Sequence, residues 1–217
     1  MNPIRNTACL ISLRLLAICL CIGGTSTTLH GAANTPQTIT PLFEGLSVPD
    51  SVTVFDTDGT AVDLSEQLRT KPTVLVFYRG GWCPYCNQHL SDLAGIETEL
   101  QSLGYQIIAL SPDSAESLQA HLNKSDVGYT LLSDHERNAS DAFGLTFKVD
   151  ASTHEMLLGY GIDIEKAAGN SSRELPVPGV FLIREGRIHL AYVNPDYTIR
   201  LSGEVLLAAA RVAAKKE

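Results

Sequence analysis

The chain has 217 residues, of which 44% are hydrophobic and 18% charged, a composition typical of a protein with one hydrophobic core. Acidic residues (24) outnumber basic ones (16), so the net charge is −8 at pH 7. Such an acidic chain disfavours nucleic acid and anionic membrane surfaces as partners. The sequence also lacks the nucleophile elbow of a Ser–His–Asp hydrolase and any glycine-rich phosphate-binding motif.

Residues 1–33 have the composition of a secretory signal peptide. Two arginines precede a short apolar run, Leu15 to Ile22, and the segment ends in Gly-Ala-Ala at 31–33. The run is shorter than the roughly 20 apolar residues that span a bilayer, which favours cleavage over an uncleaved anchor. A lipoprotein site at Cys19 or Cys21 is a further alternative, although no small residue precedes either. We therefore predict export to the periplasm or the extracellular space.

The next segment, residues 34–50, is rich in Thr and Pro and predicts a flexible lead-in. A hairpin follows, because two β-rich runs, 52–55 and 60–62, flank the turn sequence Asp-Thr-Asp-Gly. We place one globular domain at residues 51–215.

Residues 73–90, TVLVFYRGGWCPYCNQHL, form the stretch with the strongest pattern. The apolar run Val74 to Tyr78 predicts a buried strand, which a pair of glycines interrupts. Apolar residues then recur three or four positions apart to Leu100, which predicts a helix extending to about Gly104. Pro84 suits the first turn of that helix because proline has no N–H group. A strand therefore leads through a glycine loop to two cysteines at the start of a helix.

Those cysteines, Cys83 and Cys86, form a Cys-x-x-Cys pair. Free amide groups and the helix dipole at a helix start lower a thiol pKa, and the resulting thiolate is a nucleophile. The second thiol can resolve the mixed disulfide that the first one forms.

A Cys-x-x-Cys pair has two other interpretations. A structural disulfide would close a four-residue ring and contribute only about 2 kcal/mol. A metal site would need further ligands, and residues 34–217 contain no other cysteine. The pair thus indicates redox chemistry without a metal or organic cofactor, and a non-catalytic metal-binding protein is the alternative from another class.

The rest of the chain alternates strands and helices, which indicates a parallel α/β core. We predict strands over 105–110, 129–132, 180–183 and 188–193, and helices over 64–68, 114–124, 137–143 and 203–214. Residues 149–175 have weak periodicity and many Gly and Ser residues. This segment predicts an irregular insertion with a local helix at 164–168.

Several side chains near the cysteines are candidates for function. Trp82 is placed either to dock a substrate beside the thiol or to pack. Arg79 is a candidate for holding a thiolate or an anionic substrate, the alternative being a solvated arginine. His89 follows Cys86 by three residues, within helical reach, so it could tune the pair.

Three further positions have no clear motif. Asp196 and Arg200 look like a local charge pair around a turn. His154, like the other remaining histidines, is expected at the surface or in the core.

These motifs resemble the alkyl hydroperoxide reductase/thiol-specific antioxidant (AhpC/TSA) family and its peroxiredoxin-like members. The resemblance covers about residues 45–210 and is carried by FYRGGWCPYCNQHL, by IIALSPD, by Pro-Val-Pro at 176–178 and by Asp-Tyr-Thr at 196–198. Cys-Pro-Tyr-Cys is also the glutaredoxin tetrapeptide. The resemblance implies an α/β, thioredoxin-like fold, in which helices flank a central mixed sheet and the hairpin is an N-terminal extension. It also implies that Cys83 is the nucleophile, Cys86 the resolving thiol and Pro178 a cis proline that faces them.

The chain departs from the peroxiredoxin pattern Phe-Tyr-Pro…Thr-x-x-Cys. When Phe77-Tyr78 is aligned with this pattern, Arg79 occupies the proline position. Cys83 then falls on the threonine, Cys86 on the peroxidatic cysteine, and the family arginine on Pro178. We therefore predict an exported thiol–disulfide oxidoreductase with an antioxidant role. The alternative is a thiol peroxidase that reduces hydroperoxides with Cys86 or Cys83. Either function needs an electron-donor thiol protein as a partner, and the sequence does not fix the oligomeric state.

Overall fold

The computed structural model describes residues 32–122 and 128–215, except for the side chains of residues 121 and 122. The predicted signal segment therefore lies outside the described residues, apart from its last two positions. Among the described residues, no helix has both the length and the apolar character needed to cross a membrane.

A seven-stranded sheet forms the centre of the molecule. The strands of the described chain are β1 (Thr53–Phe55), β2 (Ala61–Asp63), β3 (Thr73–Phe77), β4 (Gln106–Ser111), β5 (Thr130–Ser133), β6 (Thr146–Lys148), β7 (Glu174–Pro176), β8 (Gly179–Arg184) and β9 (Arg187–Val193). The sheet order is β2-β1-β5-β4-β3-β8-β9, and β6 and β7 form a separate antiparallel pair. Strands β3, β4 and β5 are parallel, whereas β8 and β1 join them antiparallel. The sheet is therefore mixed, as the family resemblance implies.

Helices cover both faces of this sheet. They are α1 (Leu64–Thr70), α2 (Pro84–Ala94), α3 (Glu97–Ser102), α4 (Ala115–Leu122), α5 (Asn138–Ala142), α6 (Ala151–Gly159), α7 (Ile164–Ala168) and α8 (Gly203–Ala214). The side chains of β3 alternate between the two faces. Val74 and Val76 pack in one cluster with α2, α3 and α8, while Leu75 and Phe77 pack in another with α1 and α5. Burial on both faces explains why this strand is a continuous apolar run.

The long helix predicted after the cysteines is in fact two helices. α2 ends at Ala94 and α3 begins at Glu97. Between them, Ile96 turns inward, and its side chain packs 3.3 to 3.7 Å from the Cβ position of Gly203 at the start of α8. Tertiary packing of Ile96 and the low helix propensity of Gly95 together break the helix.

The predicted flexible lead-in, residues 34–50, has defined hydrogen-bonded partners. Just before it, Ala33 pairs with β6, donating its N–H to the carbonyl of Thr146 and accepting from the N–H of Lys148. Further along, the N–H of Leu42 donates to the carbonyl of Phe143 at the end of α5. These partners are backbone groups of remote segments, which composition does not reveal, and the flexibility of residues 34–50 stays a prediction.

The segment predicted as an irregular insertion, residues 149–175, contains a helix that the sequence did not indicate. The predicted helix at 164–168 is present as α7, but α6 and β7 are additional. α6 buries only His154 and Leu157 and leaves Met156 and Leu158 exposed. It therefore lacks the apolar stripe by which an amphipathic helix is recognised.

Candidate active site

The dithiol lies where β3 passes into α2, and the path of the intervening loop requires glycine. Gly80 has a φ of +144°, and a Cβ atom there would lie 2.3 Å from Nε1 of Trp82 and 2.8 Å from Oδ1 of Asp113. The next residue, Gly81, donates its N–H to the carboxylate of Asp113 at 2.7 Å. The loop is thus fixed from the end of β4.

The two cysteines occupy the first turn of α2. Cys83 is the N-cap residue and Pro84 the first helical residue, as the sequence predicted. The carbonyl of Cys83 accepts from the N–H groups of Cys86 at 3.1 Å and Asn87 at 3.0 Å. Both thiols are free, and each cysteine is only 1% exposed.

The environment separates the pKa values of the two thiols. The pKa of Cys83 is lowered to about 6, chiefly because the Cys86 thiol donates a hydrogen bond to it. Burial opposes this effect, while the N–H of Cys86 and the positive charges of Arg79 and Arg200 reinforce it. The pKa of Cys86 is raised, because its proton is held by Cys83 and because the thiol is buried. The first proton therefore leaves the pair from Cys83.

Arg200 is the residue at this site that sequence reasoning missed. Its Nη2 atom lies 3.4 Å from Sγ of Cys86, and its Nε and Nη1 atoms are buried without a hydrogen-bond partner in the described chain. No close ion pair joins it to Asp196 among the described residues. The pKa of Asp196 is nevertheless lowered, chiefly by hydrogen bonds from Thr198 and also by the positive charge of Arg200, so the predicted charge pair is present only as a longer-range interaction. The carboxylate of Asp196 instead accepts from the N–H and the hydroxyl of Thr198, at 3.0 and 2.7 Å. Asp196 thus forms its hydrogen bonds within its own turn, while Nη2 of Arg200 faces the thiol of Cys86.

Arg79 is buried beside the pair and is not the solvated arginine considered from the sequence. It is 8% exposed, and its guanidinium carbon lies 5.0 Å from the ring centroid of Trp82 and 4.1 Å from that of Tyr197. The rings of Tyr197 and Tyr85 also meet edge to face at 5.8 Å. Trp82 packs against two of the hydrophobic clusters, so its ring both packs and holds a cation.

Pro178 does not have the predicted cis geometry. No cis peptide bond occurs in the described part of the chain, so that prediction was wrong. The trans bond is the lower-energy form by about 0.5 to 1 kcal/mol. In this form the N–H of Val177 donates to the carbonyl of Leu145, and the carbonyl of Pro178 accepts from the backbone N–H of Asn194. The backbone on both sides of the bond is therefore satisfied without isomerisation.

A groove of about 630 Å³ lies next to the site. Arg79 and Pro178 both line it, together with residues 34–37, the end of β6, two side chains of α6 and residues 194–197. Neither cysteine is among its lining residues. Arg79 therefore lines this groove and also acts on the Cys83 thiol.

His89 does not supply charge to the thiols at neutral pH. Its pKa is lowered to about 4, mainly by burial and then by the positive charge of Arg200. The imidazole is therefore neutral near pH 7. It follows that Arg79 and Arg200 are the cations that act on the pair.

The chain is similar in sequence to a known protein family. The sequence model of the AhpC/TSA family matches residues 45–190. A chloroplastic peroxiredoxin Q of Triticum aestivum is 32% identical over 99 residues, which is 46% of this chain and 45% of that protein. The matched segments span from 45% to 66% of the lengths of the curated relatives.

Solved structures share the fold. The crystal structure of reduced Prx3 in complex with H2O2 from Vibrio vulnificus has a TM-score of 0.63 at 18% identity and covers 78% of this chain and 99% of that one. A peroxiredoxin Q structure from Xanthomonas campestris has a TM-score of 0.60 at 20% identity, with coverage of 81% and 99%. These likenesses confirm the thioredoxin-like fold.

Proposed function

Because the chain belongs to the AhpC/TSA family, we propose that it is a thiol peroxidase that reduces hydroperoxides with the Cys83–Cys86 dithiol. The observation that carries this proposal is the half-buried guanidinium of Arg200 beside Cys86, whose Nε and Nη1 atoms are buried without a hydrogen-bond partner among the described residues. The sequence alone favoured disulfide exchange, because Cys83 and Pro178 stand at the positions of the family threonine and arginine. Arg200 provides a guanidinium from another part of the chain.

Peroxide cleavage needs such a group. When a thiolate attacks a hydroperoxide, negative charge develops on the departing oxygen, and donors already in place lower the barrier. Buried N–H groups without a partner are unfavourable in the resting protein. A leaving oxygen beside Arg200 would satisfy them, so its interaction with the guanidinium would be stronger in the transition state than before it.

The steps follow from the two pKa values. The Cys83 thiolate attacks one oxygen of the hydroperoxide, the S–O bond forms, the O–O bond breaks and the alcohol or water leaves with a proton. Cys83 is then a sulfenic acid. The sulfur of Cys86 attacks it, which forms the disulfide and releases water. Two electrons from an electron-donor thiol protein return the disulfide to the dithiol.

We include export in the proposal. The composition of residues 1–33 supports it, since two arginines precede a short apolar run and small residues follow. The intact mass of protein from the exported fraction tests this part separately, because cleavage predicts an N-terminus near Asn34. A mass that includes residues 1–33 contradicts cleavage, and an added lipid mass supports the lipoprotein alternative.

Thiol–disulfide exchange is the second candidate function. Two features favour it. Cys83 lies at the N-cap of α2 with a lowered pKa, and Cys86 is a second, buried thiol nearby. Exchange needs a resolving thiol and a thiolate that a second protein can reach, whereas Cys83 is only 1% exposed. It does not need a guanidinium beside the pair.

Stopped-flow oxidation of the reduced protein separates the two functions. Trp82 is the only tryptophan in the chain, so its fluorescence reports the redox state of the adjacent pair. We expect hydrogen peroxide to oxidise the protein far faster than it oxidises a free thiol, and insulin disulfide to react more slowly than peroxide. Cys83→Ser should abolish the fast phase, while Cys86→Ser should retain it and stop at the sulfenic acid. Oxidation by peroxide at the rate of a free thiol would refute the peroxidase proposal.

A further inference from the structure

A second group of chemically active side chains lies outside the dithiol site. His154 is on α6, Asp163 is the N-cap of α7, and Glu165 is in the first turn of α7. One ring nitrogen of His154 and one oxygen from each carboxylate all lie within 4.8 Å of one another. We propose that these three residues bind one divalent transition-metal cation of the zinc class.

The histidine gives the first reason for this proposal. His154 is 6% exposed, and its Nε2 atom is buried with no hydrogen-bond partner among the described residues. Buried polar groups are normally paired, and an unpaired one calls for an explanation. A bound cation would satisfy the imidazole directly or fix the ring tautomer that leaves the ligating nitrogen unprotonated.

The carboxylates keep ligand atoms available. One oxygen of Asp163 accepts from the N–H of Lys166 at 2.9 Å, and one oxygen of Glu165 pairs with Arg173. For the second oxygen of each carboxylate, no hydrogen bond or ion pair is seen in the part of the chain that the structure describes, so it can serve as a metal ligand. Arg173 offsets one of the two negative charges, so we expect the site to hold a single ion with moderate affinity.

The donor set decides the class of cation. One imidazole nitrogen and two carboxylate oxygens suit zinc and its neighbours, whereas calcium and magnesium prefer all-oxygen sites. Three protein ligands and a water molecule would complete a tetrahedron. With bonds of about 2.0 to 2.2 Å, ligand atoms in a tetrahedron lie about 3.5 Å apart, so the three side chains need to converge by about 1 Å.

Binding at this position would join two helices of the segment between β6 and β7. α6 also contributes Thr153 and Met156 to the wall of the groove beside Arg79. A cation held by His154, Asp163 and Glu165 would therefore fasten that wall to α7. This site differs from the metal-binding alternative considered from the sequence, in which Cys83 and Cys86 would be the ligands.

The test measures zinc binding in the Cys83→Ser/Cys86→Ser chain, which removes the thiolates as competing ligands. Titration calorimetry with zinc chloride at pH 7 should show one ion per chain. Asp163→Asn keeps a capping oxygen but removes the ligand charge, and it should weaken zinc binding by more than about tenfold. His154→Gln should do the same.

Asp150→Asn is the matched control. Asp150 caps α6 through the N–H of Thr153, as Asp163 caps α7, but it is not one of the three ligands. It should leave the zinc affinity unchanged. Absence of saturable binding in the Cys83→Ser/Cys86→Ser chain would overturn the proposal. So would equal affinities for the parent and Asp163→Asn, a surface substitution that should fold even if His154→Gln does not.

Discussion

The Nη2 atom of Arg200 lies 3.4 Å from the Sγ atom of Cys86, and this contact joins the loop before α8 to the first turn of α2. The rest of the guanidinium is buried without partners in the described chain. Buried N–H groups without a partner are unfavourable for folding, and a negative charge that develops beside them offsets this cost. Thiolate formation and peroxide cleavage both create such a charge, which is why the contact matters for chemistry rather than stability.

Replacing this arginine should therefore slow the reaction without unfolding the protein. We expect Arg200→Met to lower the rate of oxidation by hydrogen peroxide by on the order of 10²-fold, as the loss of one charge-stabilising donor does elsewhere. The free energy of unfolding in urea should stay the same or increase. Arg211→Met, on the exposed face of α8, is the control and should leave both quantities unchanged. A normal oxidation rate in the Arg200 variant would contradict the role given to this residue.

The lowered pKa of Cys83 predicts a specific pH dependence. Alkylation of the reduced protein should reach half its maximal rate near pH 6, because the pKa of Cys83 falls from 9.0 to about 6. Between pH 6 and about 8 the unfolded chain holds a proton that the folded protein has lost, so the free energy of unfolding should rise with pH. The Cys83→Ser variant should not show this rise in the free energy of unfolding. Faster alkylation at neutral pH in the variant that keeps only Cys86 would reverse the assignment of the two thiols.

Gly80 should tolerate no side chain. Its φ of +144° is strained for any other residue, and an added Cβ would lie 2.3 Å from Trp82. We expect Gly80→Ala to cost about 1 to 3 kcal/mol of unfolding free energy from backbone strain alone, and more from the clash. Gly59→Ala is the matched control, since Gly59 also has a positive φ, of +81°, but has nothing within 4 Å of its Cβ position. Equal costs at the two positions would show that the clash with Trp82 does not matter.

The sequence predicted those parts of the fold that have a local pattern. β3 is a continuous apolar run, and α8 has an apolar stripe, so both were predicted close to their observed bounds. α6 was missed because its apolar residues face solvent as often as the core. The break at Ile96 and the ordered contacts of residues 34–50 depend on remote segments, and no local pattern records them.

The residues of the candidate site also divide into those that a local pattern predicted and those that it did not. The position of Cys83 and Cys86 at a helix start was predictable from 18 consecutive residues. Arg200 was not, because it follows Cys86 by 114 positions and only the folded chain brings the two together. The cis geometry predicted for Pro178 came from the family resemblance alone, and the observed trans bond is the ordinary lower-energy form.

Asp113 should make stability fall with pH over an acidic range. Burial raises its pKa from 3.8 to about 6, although hydrogen bonds from Gly81 and Ser111 oppose this. Between these values the folded protein keeps a proton that the unfolded chain has lost, so the free energy of unfolding should decrease as pH rises from 4 to 6. Asp113→Asn should reduce the decrease in urea midpoint over this range. Asp134, whose pKa is also raised to about 6, acts in the same direction in both proteins, and His89, whose pKa is lowered to about 4, acts in the opposite direction in both. An unaltered pH profile in the variant would contradict the assignment.

The last prediction concerns access to the dithiol. Both cysteines are 1% exposed, while Tyr197 is 41% exposed and lies over Arg79 with 4.1 Å between the guanidinium carbon and the ring centroid. Tyr197→Ala removes one of the two rings that hold Arg79 and should cost about 0.5 to 1 kcal/mol of unfolding free energy. The maximal alkylation rate of Cys83 should rise, because the residues around the thiol become more mobile. The pH of half-maximal rate should change little, because the Cys86 thiol is the main cause of the lowered pKa.

Tyr160→Ala is the control for this variant, since Tyr160 is a 75% exposed tyrosine in the described chain. It should alter neither the alkylation rate nor the emission of Trp82, whereas Tyr197→Ala should alter both, because Arg79 also contacts the tryptophan ring at 5.0 Å. A faster alkylation accompanied by an unchanged Trp82 spectrum would mean that Tyr197 shields the thiol without acting through Arg79. Unchanged alkylation in Tyr197→Ala would mean that other residues limit access to Cys83.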